Sequence, residues 1–165
     1  MGSWWAGKIR RTVRYLSGRV SRADRAELER LLTYEQLLLF DSMHRADQVH
    51  GLDVLRALRA AGRTEQDLLL AGLFHDAGKG PAVGLLHRVT WSLGQRYGDR
   101  IVRLGSRLPW MREGLERMRD HQQHSAELVV VAGCSPLTAA LIRAEPPPED
   151  RQLGEALRLA DEASG

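Results

Sequence analysis

Apolar residues recur at three- and four-residue intervals along most of this chain, and no run alternates as a half-buried strand would. Ser21 and Asp24 have capping-box spacing ahead of Leu28, Leu31 and Leu32, and Thr33 with Gln36 repeats it before the apolar run 37–40. A longer helix is predicted over 45–61, with Leu52, Leu55 and Leu58 on one face and a stop at Gly62. Thr64 and Asp67 predict a third capping box, opening a helix that ends at Gly78 and Gly80. Pro81 suits a first helical position, and Leu86, Val89 and Leu93 form the expected apolar stripe of a helix reaching Tyr97. Gly98, Gly105 and Pro109 break the next stretch, where Trp110 is expected to pack a loop onto the core. Helical spacing returns over 113–131, with Leu115 and Met118 inward. Ser135-Pro136 caps a short helix, and after Pro146–Pro148 a last helix carries Leu153, Leu157 and Ala160. The pattern as a whole predicts an all-α fold.

One stretch stands apart. Leu68 to Phe74 is apolar on every side, so as a helix it must be buried all round. Directly behind it come His75, Asp76, Gly78 and Lys79. Polar groups delivered to the end of a buried helix are costly unless something pairs with them, and a metal ion is one such partner.

Composition narrows the context. The 165 residues make one domain with a core of its own. The single cysteine, Cys134, excludes an internal disulfide and fits a reducing compartment. No apolar run approaches the roughly 20 residues that span a bilayer, and no secretory pattern opens the sequence, so the cytoplasm is the expected location. The net charge of +3 is uneven: Lys8, Arg10, Arg11, Arg14, Arg19, Arg22 and Arg25 crowd the start, beside Trp4 and Trp5. Nucleic acid or an anionic membrane surface would suit that charge. The near-helical spacing of Ile9, Val13, Leu16 and Val20 favours instead a basic helical extension, residues 1–40, packing on a domain of residues 41–165.

Six histidines are available as ligands: His44, His50, His75, His87, His121 and His124. Imidazole with carboxylate suits Mn, Fe, Co, Ni or Zn, with Mg remaining open. No Cys-x-x-Cys pair exists, which excludes a zinc finger. The run L-L-L-A-G-L-F-H-D-A-G-K over 68–79, with D-Q-V-H-G-L-D-V at 47–54, H-S-A-E-L-V-V-V-A-G-C-S-P at 124–136 and R-L-A-D-E-A at 158–163, resembles the HD-domain superfamily of metal-dependent phosphohydrolases. It looks like a small bacterial member of that group, and the resemblance covers the chain from Asp41 onward. It implies an HD-type helical bundle with His50, His75, Asp76 and Asp161 as metal ligands. Adjacent residues on a helix differ by about 100° around its axis. His75 and Asp76 can therefore share an ion only from the helix edge, with the helices of His50 and Asp161 closing the shell.

In two-metal relatives a His at the position of His124 and another near the end of the next helix hold a second ion. This chain has Ala144 and Glu145 at the latter place, so one ion is favoured over two. His124 then lines the site for phosphate or water, Glu145 being its possible second-ion partner, while His121, His44 and His87 are expected at the surface or behind the ligands. Lys79 and Lys8 are the only lysines, every other cation being arginine. A compact ammonium suits a point contact to phosphate, and the same charge also suits a helix C-terminus. The expected activity is hydrolysis of a phosphomonoester or phosphodiester, in a nucleotide, with Asp76 and Lys79 as catalytic residues. The G-Y-P element of cyclic-dinucleotide phosphodiesterases in this superfamily is absent. A degenerate HD domain, binding metal or nucleotide as a sensor without turnover, is the alternative. The partner is thus a small phosphorylated substrate, with nucleic acid disfavoured and membrane contact through the basic N-terminus a lesser option.

Overall fold

Three helix starts follow from side-chain chemistry written in the sequence. In a computed structural model, which describes residues 18–80 and 83–164, Ser21 Oγ accepts from the Asp24 amide at 3.1 Å. The Asp24 carboxylate in turn accepts from the Ser21 amide at 3.0 Å, opening α1 (Arg22–Leu31). Thr33 and Gln36 make the same reciprocal pair ahead of α2 (Tyr34–Ser42). Ser135 Oγ accepts from the Thr138 amide at the start of α8 (Pro136–Ile142).

The remaining helices are α3 (Arg45–Ala60), α4 (Gln66–Phe74), α5 (Leu85–Tyr97), α6 (Arg100–Gly105), α7 (Pro109–Val131) and α9 (Arg151–Ser164). Short 3-10 turns cover Ala77–Lys79 and Pro148–Asp150. No strand occurs among the described residues, and the fold is an all-α bundle in a single domain. None of these helices is long and apolar enough to cross a membrane. Of the expected N-terminal docking positions, Ile9, Val13 and Leu16 lie outside the described residues, as does Pro81, while Val20 packs against the core.

α4 is the axis of the bundle. Every residue from Leu68 to Phe74 is buried, because α3, α8 and α9 pack around it. Leu28, Phe40, Leu55, Leu58, Val129 and Leu157 belong to the same continuous core, so α1 and α2 are part of it. A smaller cluster of Val102, Met111 and Leu115, with Trp91 against it, holds α5, α6 and α7 together.

Several sequence expectations are corrected. Asp67 does not cap α4: its carboxylate accepts from the hydroxyls of Ser135 and, at 2.7 Å, Thr138, tying α4 to the start of α8. Glu65 is the N-cap residue instead. The helix also stops at Phe74, four residues before the expected glycine, because the chain tightens into the 3-10 turn. Leu86 and Val89 are 59% and 40% exposed, so they form no inward stripe. α5 is turned by other ties: Arg88 donates two hydrogen bonds to the buried Asp47 carboxylate, at 2.8 and 2.6 Å, and His87 is buried facing Gly114. Trp110 does not fill the core either. It stands exposed on the first turn of α7, its ring edge-on to His87.

The backbones of α3 and α4 approach closely at Gly51. A Cβ at Gly51 would lie 2.3 Å from the carbonyl oxygen of Leu73, a clash with backbone that no side-chain rotation relieves. Gly51 follows His50 directly, so this approach sets how near α3 brings His50 to the end of α4. Gly51→Ala is therefore expected to destabilise the fold by about 1–3 kcal/mol, despite the ~1 kcal/mol that alanine gains in an isolated helix. Chemical denaturation of the variant beside wild type measures this, and an unchanged or higher midpoint would contradict the packing argument.

Candidate metal centre

The closed end of α4 gathers its polar groups from four directions. His75 is the C-cap residue of α4, and Asp76 precedes the 3-10 turn that carries Lys79. α3 brings His50, α9 brings Asp161 and α7 brings His121. That turn packs closely on α7: a Cβ at Gly78 would lie 2.4 Å from the His121 carbonyl oxygen and 2.5 Å from the Ser125 amide. Ser125 Oγ fixes the same contact, accepting from the Gly78 amide at 2.8 Å and donating to the His75 carbonyl at 2.8 Å.

Each of His50, His75 and Asp76 offers one ligand atom, and these atoms all lie within 4.8 Å of one another. Asp161 touches both imidazoles, with Oδ1 2.8 Å from His50 Nε2 and 3.5 Å from His75 Nε2. Asp76 Oδ1 lies 3.7 Å from His75 Nε2 and 3.5 Å from His121 Nε2. Its other oxygen accepts a short hydrogen bond from Lys79 Nζ. The donor set of imidazole nitrogen and carboxylate oxygen could hold a metal ion.

Two further observations test that fit. His75 Nδ1 lies 3.0 Å from the Gly72 carbonyl, which can only accept, so Nδ1 carries hydrogen and Nε2 is the atom turned to the site. A second ring nitrogen donating to a backbone carbonyl is the usual support of a ligating histidine. His121 is held the same way, Nδ1 donating to the Met118 carbonyl at 2.8 Å. Burial pushes the His121 pKa down, while the neighbouring Asp76 carboxylate pulls it the other way. Its Nε2 faces the Asp76 carboxylate across 3.5 Å.

The charges without a metal are also defined. Burial works against ionised Asp76, but Lys79, His75, His50 and His121 outweigh it and hold the carboxyl well below its usual range. Asp161 is held low in the same sense, its burial outweighed by hydrogen bonds to His50 and His75. Burial opposes a charged His75, yet Asp76 and Asp161 prevail and push its pKa up to about 9.

His124 borders the turn, since a Cβ at Gly78 would lie 2.7 Å from the Cβ of His124, whereas the other expected site residues lie elsewhere. His124 is exposed, with Nδ1 3.7 Å from the Glu127 carboxylate, and Glu145 is exposed, 3.7 Å from Arg143 Nε. His44 caps α3, its Nδ1 accepting from the Ala46 amide, and His87 accepts from the Gly84 amide at the start of α5. His87 is thus buried and structural. Arg117 was not anticipated. Its guanidinium overhangs the turn, since a Cβ at Gly80 would lie 3.1 Å from Nη1. Its i, i+4 spacing to His121 on α7 was the available signal.

No protein-family model matches this chain, and no curated protein or solved structure matches it either.

A metal must expel the His75 proton, so affinity should rise about tenfold per pH unit as pH climbs towards 9. The metal-free fold should behave oppositely. A raised folded-state pKa adds stability that is complete below about 6.5, the unfolded value, and is lost as pH rises through 9. Calorimetric titration with Zn2+ or Mn2+, beside thermal unfolding of the metal-free protein from pH 6 to 9.5, reads both slopes. A metal affinity independent of pH would contradict the assignment of His75. Ser125→Ala, which touches no ligand side chain, should weaken metal binding about 10–100-fold by loosening His75 and Gly78. Unchanged affinity would show that this support is dispensable.

Proposed function

We propose that this protein is a metal-dependent phosphohydrolase of the HD-domain type, acting on a phosphomonoester or phosphodiester of a nucleotide. The observation that carries the reading is the convergence of His50, His75 and Asp76 at the buried end of α4, with Asp161 and His121 against them. A divalent ion in that place supplies Lewis-acid polarisation of a phosphoryl oxygen and acidifies water to near neutral pH.

The chain's own groups supply the rest. His50, His75, Asp76 and Asp161 hold the ion, and the Gly72 carbonyl keeps His75 Nε2 aimed at it. Asp76 orients the attacking water and accepts its proton, with His121 Nε2 beside it as a second base. Lys79 and Arg117 flank the turn from two sides, and together they neutralise charge developing on the phosphoryl group. The long, partly exposed Arg117 suits the bidentate recognition of a phosphate better than the half-buried Lys79.

A second reading has an observation of its own. His124 and Glu145 are each turned to other partners on the surface, so among the described residues no second set of ligands forms. A single-ion site that binds a nucleotide without turnover, as a sensor module, is consistent with that.

The decisive experiment is metal analysis with a phosphoester panel. His75→Ala and Asp76→Ala should lose bound metal together with all hydrolysis. Arg117→Ala should keep its metal while KM for the best substrate rises about tenfold or more, the loss of one charge-assisted contact. Full metal content and activity in both ligand variants would reject the site. Stoichiometric metal with no hydrolysis of any ester would favour the sensor.

A further inference from the structure

Between α6 and α7 the chain turns a corner that the metal centre does not use. Its backbone is closed and helical in character. The Ser106 amide donates to Val102 at 2.8 Å, that of Leu108 to Gly105 at 3.0 Å and that of Arg112 to Leu108 at 3.1 Å. Val102, Met111 and Leu115 anchor its inner side. What the corner shows to solvent is therefore fixed by the sequence.

It shows large apolar groups: Leu104 is 65% exposed, Trp110 60% and Leu108 45%. Arg100, Arg103, Arg107 and Arg112 are exposed around them. From 100 to 112 the sequence, R-I-V-R-L-G-S-R-L-P-W-M-R, contains four arginines and no acidic residue. Arg112 pairs with Glu116 at 2.9 Å, whereas Arg100, Arg103 and Arg107 have no acidic partner among the described residues.

The combination selects its occupant. A second copy of the same surface would bring like charges together across a two-fold axis. A nucleic acid would satisfy the arginines and let Trp110 stack, but it offers nothing to Leu104 and Leu108. An anionic bilayer offers both halves, an apolar boundary for leucine and tryptophan and negative headgroups for arginine. We propose that the α6–α7 corner is a docking surface for anionic lipid. Leu104, Leu108 and Trp110 enter the headgroup–acyl boundary, and Arg100, Arg103, Arg107 and Arg112 contact lipid phosphates. From Pro109 to His121 α7 rises about 18 Å, so the corner and the metal centre are well separated along the helix.

The test is co-sedimentation of the full chain with phosphatidylcholine vesicles, with and without about one-third phosphatidylserine, at low and near-physiological salt. Wild type should bind the anionic vesicles, more weakly as salt rises, and should not bind phosphatidylcholine alone. Leu108→Ser with Trp110→Ser, and separately Arg103→Gln with Arg107→Gln, should each lower the apparent affinity about tenfold or more. Arg103→Lys with Arg107→Lys should restore most of the loss. All these side chains are exposed, so thermal unfolding should not move, and it checks that every variant is folded. Failure of wild type to bind overturns the proposal, as does equal binding to neutral vesicles. It is overturned too if both double variants bind like wild type, which would put any contact in the basic segment before Arg25. Tighter binding to a single-stranded oligonucleotide, with the same dependence on these residues, would overturn it in favour of nucleic acid.

Discussion

A carboxylate buried at the closed end of an apolar helix constrains everything near it. Asp76 is almost wholly removed from water, and an unpaired ion there would cost several kcal/mol. The fold answers by assembling positive or polarisable groups around it: Lys79 from the 3-10 turn, His75 from the end of α4, His50 from α3 and His121 from α7. Two close backbone approaches make that assembly reachable. Gly51 lets α3 come against the Leu73 carbonyl, and Gly78 lets the turn lie on α7 between His121 and Ser125. With a side chain at either position, the partners of Asp76 would stop short of it.

Without an ion this cluster balances its own charge. Two carboxylates, Asp76 and Asp161, are set against Lys79 and a protonated His75. Under the proposed reading, His75 and Asp76 would help to hold a divalent ion, which would supply the positive charge that Lys79 and the His75 proton supply here. The Lys79 ammonium would then be available to a phosphate. Lys79 then serves as counter-ion in one state and as substrate contact in the other. The pairing with Asp76 adds to the phosphate and helix-terminus roles that the sequence suggested for Lys79.

How much of this was legible depended on range. Capping boxes at Ser21 and Thr33, and the buried faces of α3 and α4, rest on contacts within a few residues, which spacing alone displays. The chemical character of His75-Asp76 was legible for the same reason: a polar pair directly follows seven buried residues. Interactions across the bundle were not. Asp67 has capping-box spacing but answers to Ser135 and Thr138 on another helix, where two hydroxyls outcompete one local amide. Leu86 and Val89 have helical spacing, yet Asp47–Arg88 and His87–Gly114 decide which face of α5 turns inward. Periodicity finds a face and says nothing about a competing buried ion pair.

The choice between His121 and His124 shows where a finer reading was available. Residues three apart on a helix differ by about 60° in direction, which displaces two imidazoles laterally by about 5–6 Å, enough to place one in the site and the other in solvent. The inward stripe of α7 runs through Met111, Leu115, Met118, Ser125 and Val129. Its steps are three or four residues except for one gap of seven, and His121 falls in that gap. His124 lies beside Ser125, one residue off the stripe, and turns to Glu127 instead. A polar residue filling the single gap in an otherwise buried stripe points to whatever the neighbouring element leaves unsatisfied. Here that element is the turn bearing Asp76, whose carboxylate His121 faces.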